Sequence, residues 1–262
     1  MQYPDLYRKI EAHVTGLFEK EDLNGLYYHN LEHTQQVVAR TKEIAAHYNV
    51  SEKEMLILYA AAWFHDTGYL FGESSQHEEK SAAIMRSYLS DLVKDQEIVD
   101  EAEKCIMATK PPQAPKNLLQ EIICDADTYH LGTKNFKASN KLIRKERLVL
   151  RDMPYTKKEW LLATIGFMES HRFHTSYCRD LLEKRKRENI AKLKERLEAV
   201  EANGDVTEIY GPEIKPKNAL MTKGIQTMLR LTSDNHLELS GMADGKANIL
   251  ISVNAIIISV IL

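Results

Sequence analysis

Cysteine is scarce. Only Cys105, Cys124 and Cys178 occur in 262 residues, far apart and with no C-x-x-C pair. This excludes a disulfide framework and a cysteine-rich zinc site, and it suits a reducing cytoplasm. Glycine and proline are also few, 11 and 7, which suits long helices with short connections. No internal repeat, low-complexity tract or sustained strand-type alternation is found. Charge of one sign is lacking too: the formal net charge is −3, so the chain as a whole carries no electrostatic footprint for nucleic acid. The N-terminus, MQYPDLYRKIEAHV, has no apolar core of signal-peptide type and reads as the start of a soluble helix.

Helical periodicity fills most of the chain, and the expected fold class is all-α. Helices are expected over about 3–20 and from Leu31 to about Tyr48, with Asn24 and Gly25 in the loop between them. Ser51 and Glu54 form a capping box before MLILYAAAWFHD, which is apolar on nearly all sides and should be the buried centre of a bundle. Further helices are expected from near Gln76, from Glu97 to Thr109, and over NLLQEIICDADTYHL with Gly132 as its C-terminal cap. A second capping box, Thr156 and Glu159, should open one long helix through Trp160, His171 and Leu181 into the charged stretch Glu183–Glu201. Its basic run, Lys184 to Arg187, is interleaved with glutamates and reads as a solvated face rather than a nucleic-acid or lipid patch.

Residues 203–218 hold two glycines and two prolines, and a linker is placed over 203–216. It separates a domain over 1–202 from a segment over 217–262. In that segment Met221, Ile225, Met228, Leu229 and Leu231 form an apolar stripe, read as core packing, a dimer seam or an interfacial helix. The last stretch, ANILISVNAIIISVIL, is uncharged and ends inside an apolar run. A membrane span needs about 20 residues, so this reads as the start of a transmembrane helix, with a docked core helix as the alternative.

Several polar residues fall in apolar surroundings. His65-Asp66 closes the most apolar helix, where an ionisable pair is costly unless it is paired or binds a cation. His29 and His33 share one face of a helix start, at i and i+4. Asp125 and Asp127 lie two apart in an apolar helix, and a helical wheel does not decide which faces a site. Imidazole and carboxylate together suit a divalent metal.

YHNLEHTQQVV, AAWFHDTGY, QHEEKSAAI and IICDADTYHLG occur in the order of the motifs of the HD superfamily of metal-dependent phosphohydrolases, which residues 5–190 resemble. The resemblance implies an HD-domain helical bundle with one divalent cation on His33, His65, Asp66 and Asp127. It favours His33 over His29, because His33 begins the H-T-x-x-V-V run. A ligand set of this kind does not choose among Mn²⁺, Mg²⁺, Fe²⁺, Co²⁺ and Ni²⁺. The helix EAEKCIMATK lacks the extra histidines of two-metal relatives, so a mononuclear site is expected. Asp66 is expected to ligate and to orient a water. His77 and Glu78 are expected at the pocket wall or else in a solvated helix start. Lys110, before Pro111-Pro112, could face a phosphate or simply be exposed. His171 and His174 could close the pocket or pack between helices, and His130, His13 and His47 read as structural.

LRLTSDNHLELSGMADGKANILISVNAIIISVIL is similar to the start of the transmembrane effector domain of Pycsar anti-phage systems, whose effectors respond to cyclic CMP or cyclic UMP. Members of that family continue into further membrane helices. The resemblances imply an HD phosphohydrolase acting on a nucleotide-like phosphoester or phosphoanhydride, facing the cytoplasm of a bacterial membrane. Two other classes stand beside the enzyme: a cyclic-nucleotide sensor that gates a membrane effector, and a purely structural helical module. A homo-oligomer is plausible from the charged helix and the apolar stripe.

Overall fold

A computed structural model describes residues 3–20, 25–71, 76–150 and 156–202. These residues fall in one compact unit, Met1–Pro212, and form nine α-helices without a strand among them. In α1 (Tyr3–Lys20), Leu6, Ile10, Val14 and Phe18 recur every four residues and bury one stripe. α2 (Leu31–Ala45) starts at Asn30, whose side chain accepts from the His33 backbone N–H. The helix stops three residues short of the expected Tyr48, where the chain turns.

α3 (Glu52–Phe64) opens with the expected capping box of Ser51 and Glu54, and every residue from Leu56 to Phe64 is buried. It packs against α1, α2, α4 (His77–Leu92), α5 (Gln96–Ala108) and α6 (Leu118–Asp127). A helix surrounded in this way can tolerate polar groups only at its ends. His65 is its C-cap and Asp66 follows, so the ionisable pair lies where the central helix gives way to a 3₁₀ turn, Thr67–Phe71. Gly68 in that turn is required by close approach: a Cβ there would lie 2.1 Å from the His77 carbonyl oxygen. The Gly68 N–H donates to Ser81 Oγ at 2.8 Å, which fixes the start of α4 against the His-Asp pair.

The second half departs from the periodicity reading in three places. α6 ends at Asp127, and Gly132 does not cap it. Gly132 closes a separate 3₁₀ turn, Tyr129–Gly132, where a Cβ would lie 2.5 Å from Leu182 Cβ; this glycine allows the helix that carries Leu182 to pack close. α7 (Phe136–Leu150) was not foreseen, and it buries only Phe136 and Glu146, leaving Leu142, Val149 and Leu150 exposed.

The single long helix expected from Trp160 onward is two helices, α8 (Lys157–Ser170) and α9 (Ser176–Ala202). The cause is Asp125. Its fully buried carboxylate accepts the backbone N–H groups of His174 and Thr175, both at 2.8 Å, and the Thr175 hydroxyl at 2.6 Å. Those donors would otherwise be orphans at the start of α9. Asp125→Ala should leave two buried N–H groups unsatisfied and cost about 2–4 kcal/mol, measured by urea denaturation.

Within the basic run, Arg185 pairs with Glu188, but Lys186 is buried and donates to the His171 carbonyl at 2.7 Å. Among the described residues no helix is long and apolar enough to cross a membrane. Asn24, the linker over 203–216 and the segment over 217–262 lie outside the described residues.

Candidate metal centre

Three elements bring four side chains together. His33 projects from the first turn of α2, His65 and Asp66 close α3, and Asp127 ends α6. One ligand atom from each lies within 4.8 Å of the others. His33 Nε2 is 3.3 Å from Asp66 Oδ2 and 3.3 Å from Asp127 Oδ1. His65 Nε2 is 3.1 Å from Asp66 Oδ2 and 3.7 Å from Asp127 Oδ1. Donors about 2.1 Å from a common cation and 90–109° apart would be separated by roughly 3.0–3.4 Å. Asp127, not Asp125, faces the cluster, and the two aspartates of one triplet divide the metal and capping positions.

The fit to a cation also rests on unmet hydrogen bonding. His33 Nε2, His65 Nε2 and Asp66 Oδ2 are buried and have no hydrogen-bond partner. Three such atoms facing one point would cost several kcal/mol if nothing joined them. His65 Nδ1–H donates to the Ala62 carbonyl at 2.8 Å, which leaves Nε2 as the lone-pair nitrogen aimed at the cluster. Burial raises the pKa of both carboxylates, but the surrounding imidazoles outweigh it and hold Asp66 and Asp127 below the ordinary range. Burial likewise lowers that of His33, but Asp127 and Asp66 outweigh it and raise it to about 9. The cluster therefore attracts positive charge, which a divalent cation supplies directly.

A cavity of about 430 Å³ opens onto Asp66 and Asp127. His77, Glu78 and Lys110 all line it. His77 Nε2 is 3.7 Å from Asp66 Oδ1, and its ring stacks on Tyr69. Glu78 is buried, and that burial raises its pKa, with the charge of His77 opposing. Lys110 is paired with Glu79, so much of its charge is met before any phosphate arrives. His171 and His174 line neither cavity described here. His171 Nε2 lies 3.0 Å from Thr128 Oγ1, and His174 contributes its backbone N–H to Asp125. Of the three histidines read as structural, His13 and His47 stack on Tyr88 and Tyr177, but His130 lines the cavity beside Asp127.

Two further residues have a claim on the site, His29, which the sequence reading set aside in favour of His33, and Glu146, which it did not single out. His29 lines the cavity, with its ring centroid 5.8 Å from that of His33. Its Nδ1 is bonded to Glu146 of α7, a buried carboxylate that also accepts the backbone N–H groups of Tyr28 at 2.8 Å and His29 at 3.0 Å. Burial alone would raise the Glu146 pKa; those bonds lower it, and it stays ionised. The ring of His29 is stacked on Tyr69 at 4.2 Å. Glu146 sits in a charged helix 117 residues away, and only the position of His29 beside His33 hinted at the pair.

Residues 30–132 match the HD domain family. The crystal structure of a protein described as a predicted HD superfamily hydrolase, from an uncultured Thermotogales bacterium, is 21% identical, with 76% of this chain and 98% of that chain covered and a TM-score of 0.48. No curated protein of similar sequence was found. HD domains bind divalent metals, and all four clustered side chains fall inside the matched segment. The chain is thus similar to the HD domain family over residues 30–132.

Proposed function

We propose that the protein is a phosphohydrolase that cleaves a phosphoester or phosphoanhydride of a nucleotide-like substrate at the His33, His65, Asp66 and Asp127 centre. The observation that carries this reading is the convergence of four donors, three of whose atoms are buried without a hydrogen bond, with Asp66 and Asp127 in the wall of a cavity. A divalent cation held there supplies Lewis acidity toward a phosphoryl oxygen and acidifies water to near neutral pH. Asp66 places its second oxygen where it can orient the attacking water. His77, braced by Glu78 at 3.2 Å, holds the Oδ1 side of Asp66. His29 is positioned to give a proton to the leaving oxygen: Glu146 fixes its Nδ1, which turns Nε2 into the nitrogen that meets substrate. Lys110 stands at the cavity wall and can exchange Glu79 for a phosphate. Phe136, Ile143, Trp160 and Phe167 give the same cavity an apolar wall suited to a planar organic group.

The test is an assay of the whole chain, stripped with a chelator and then supplied with Mn²⁺, against a panel of phosphoesters that includes cyclic CMP and cyclic UMP. Turnover that depends on added metal is expected. No turnover of any ester by metal-loaded protein would overturn the reading.

The membrane reading stays with the sequence. We place the HD domain over 1–202, a linker over 203–216 and a membrane segment over 217–262, with the domain on the cytoplasmic side of a bacterial membrane. The resemblance of that last segment to Pycsar effectors favours a second reading, in which the domain senses a cyclic pyrimidine nucleotide and gates the membrane segment in anti-phage defence. Saturable cyclic CMP or cyclic UMP binding without turnover would favour the sensor. Absence of binding by the whole chain would remove it.

A further inference from the structure

The metal cluster is bordered by two cavities. The second, of about 390 Å³, has His33 and Asp127 in its wall, and it shares Asp127 with the larger one, which Asp66 also lines. Tyr28 and His130 line both cavities, with Tyr28 Oη and His130 Nδ1 2.9 Å apart.

The two linings differ in chemistry. The larger cavity carries four carboxylates, Asp66, Glu78, Asp127 and Glu146, against two cations, Lys110 and Arg147, beside its aromatic wall. The smaller one carries Asp127 as its one carboxylate, and that group is committed to the cluster. Positive charge comes from Arg40 and Lys134, and neutral hydrogen-bonding groups from Gln36, Asn135 and Ser139. A cavity of this size accommodates a hydrated oxyanion, since a water takes about 30 Å³.

Arg40 is held in place. Its guanidinium lies 4.5 Å over the Tyr129 ring, and one amino group bonds Glu43. Glu43 is itself pinned by the hydroxyls of Tyr129 at 2.7 Å and Tyr177 at 2.8 Å, and it does not line the cavity. A guanidinium offers five donors in a fixed fork, so one bond to Glu43 fixes its orientation and leaves donors for a tetrahedral oxyanion.

We propose that the smaller cavity is a phosphate subsite contiguous with the metal centre, in which Arg40 and Lys134 bind a phosphate dianion. This rests on the phosphohydrolase reading for its biological use, but not for the binding itself. The dianion is either the phosphate released at the centre or a second phosphate of the substrate.

The experiment is a calorimetric titration of inorganic phosphate into the whole chain after chelator treatment, repeated on Arg40→Gln/Lys134→Gln, on Lys134→Gln alone and on Arg147→Gln in the other cavity. Saturable binding is expected, weakened at least about tenfold in the double variant, weakened to a lesser degree in the single variant and unchanged by Arg147→Gln. Lys134 is exposed, so the single variant keeps the fold intact should the double variant not. No saturable binding by the unaltered chain, equal affinity in the folded Arg40 and Lys134 variants, or loss only with Arg147→Gln would overturn the subsite. With metal-loaded enzyme, weaker phosphate inhibition at constant KM identifies released product. A raised KM confined to diphosphate substrates identifies a substrate phosphate. If no ester is turned over but phosphate binding follows Arg40 and Lys134, the subsite stands and the hydrolase reading falls.

Discussion

Asp66→Ala is expected to lower metal-dependent turnover by at least about a thousandfold, equivalent to about 4 kcal/mol of barrier, while the chain stays folded. Asp66 is the hub of the centre: its Oδ2 lies 3.1 Å from His65 Nε2 and 3.3 Å from His33 Nε2, and its Oδ1 faces His77. Removing it deletes a ligand and the acceptor that orients the water together. The fold should persist because α3 is anchored by the apolar run Leu56–Phe64, which the substitution does not touch. Steady-state assay and thermal denaturation, each with and without Mn²⁺, check both halves. The variant should also lose most of the rise in Tm that saturating metal gives the unaltered chain, a stabilisation of about 2.7 kcal/mol at a hundred times Kd. Unchanged turnover in a folded variant would remove Asp66 from the chemistry.

His29→Ala should reduce kcat by about 10²–10⁴-fold with metal binding retained. The basis is the bonded pair it forms with Glu146, together with its place at the cavity wall, 5.8 Å ring to ring from His33. A proton donor matters most when the leaving oxygen is strongly basic. The loss should therefore be large for an alkyl ester and much smaller for a nitrophenyl ester, whose leaving group departs without a proton. An equal loss for both esters would make His29 a structural support of the site. Glu146→Gln should follow the same leaving-group pattern more weakly, since the amide keeps the side-chain length but loses the charge.

The parts of this molecule legible in its sequence are those governed by local rules. The first helix over 3–20 and the capping boxes at Ser51 and Thr156 appear in the structure where the pattern places them. The apolar run before His65 also marked the central helix. The break between α8 and α9 was invisible because its cause, Asp125, lies 49 residues upstream of His174 and acts only once α6 and α9 meet. α7 was not expected from the sequence, and of its residues only Phe136 and Glu146 are buried, while Leu142, Val149 and Leu150 are exposed.

The site divides in the same way. Spacing could not choose between Asp125 and Asp127, and only the assembled bundle shows one bonding to backbone N–H groups and the other facing the histidines. Lys110 was left between facing a phosphate and being exposed, and its pairing with Glu79 of α4 at the cavity wall depends on tertiary approach. His130 looked structural because a lone histidine after an aspartate motif has no distinguishing pattern. Its position between two cavities is a property of the fold.

The account stands on one cation held by four side chains. Its most direct test is calorimetric titration of Mn²⁺ into the chelator-treated whole chain and into His65→Ala. The account predicts saturation at about one equivalent for the unaltered chain, with affinity reduced at least about a hundredfold in the folded variant, as expected for loss of an imidazole ligand whose other nitrogen is fixed. Binding of equal strength in His65→Ala, or no saturable binding by the unaltered chain, would contradict it.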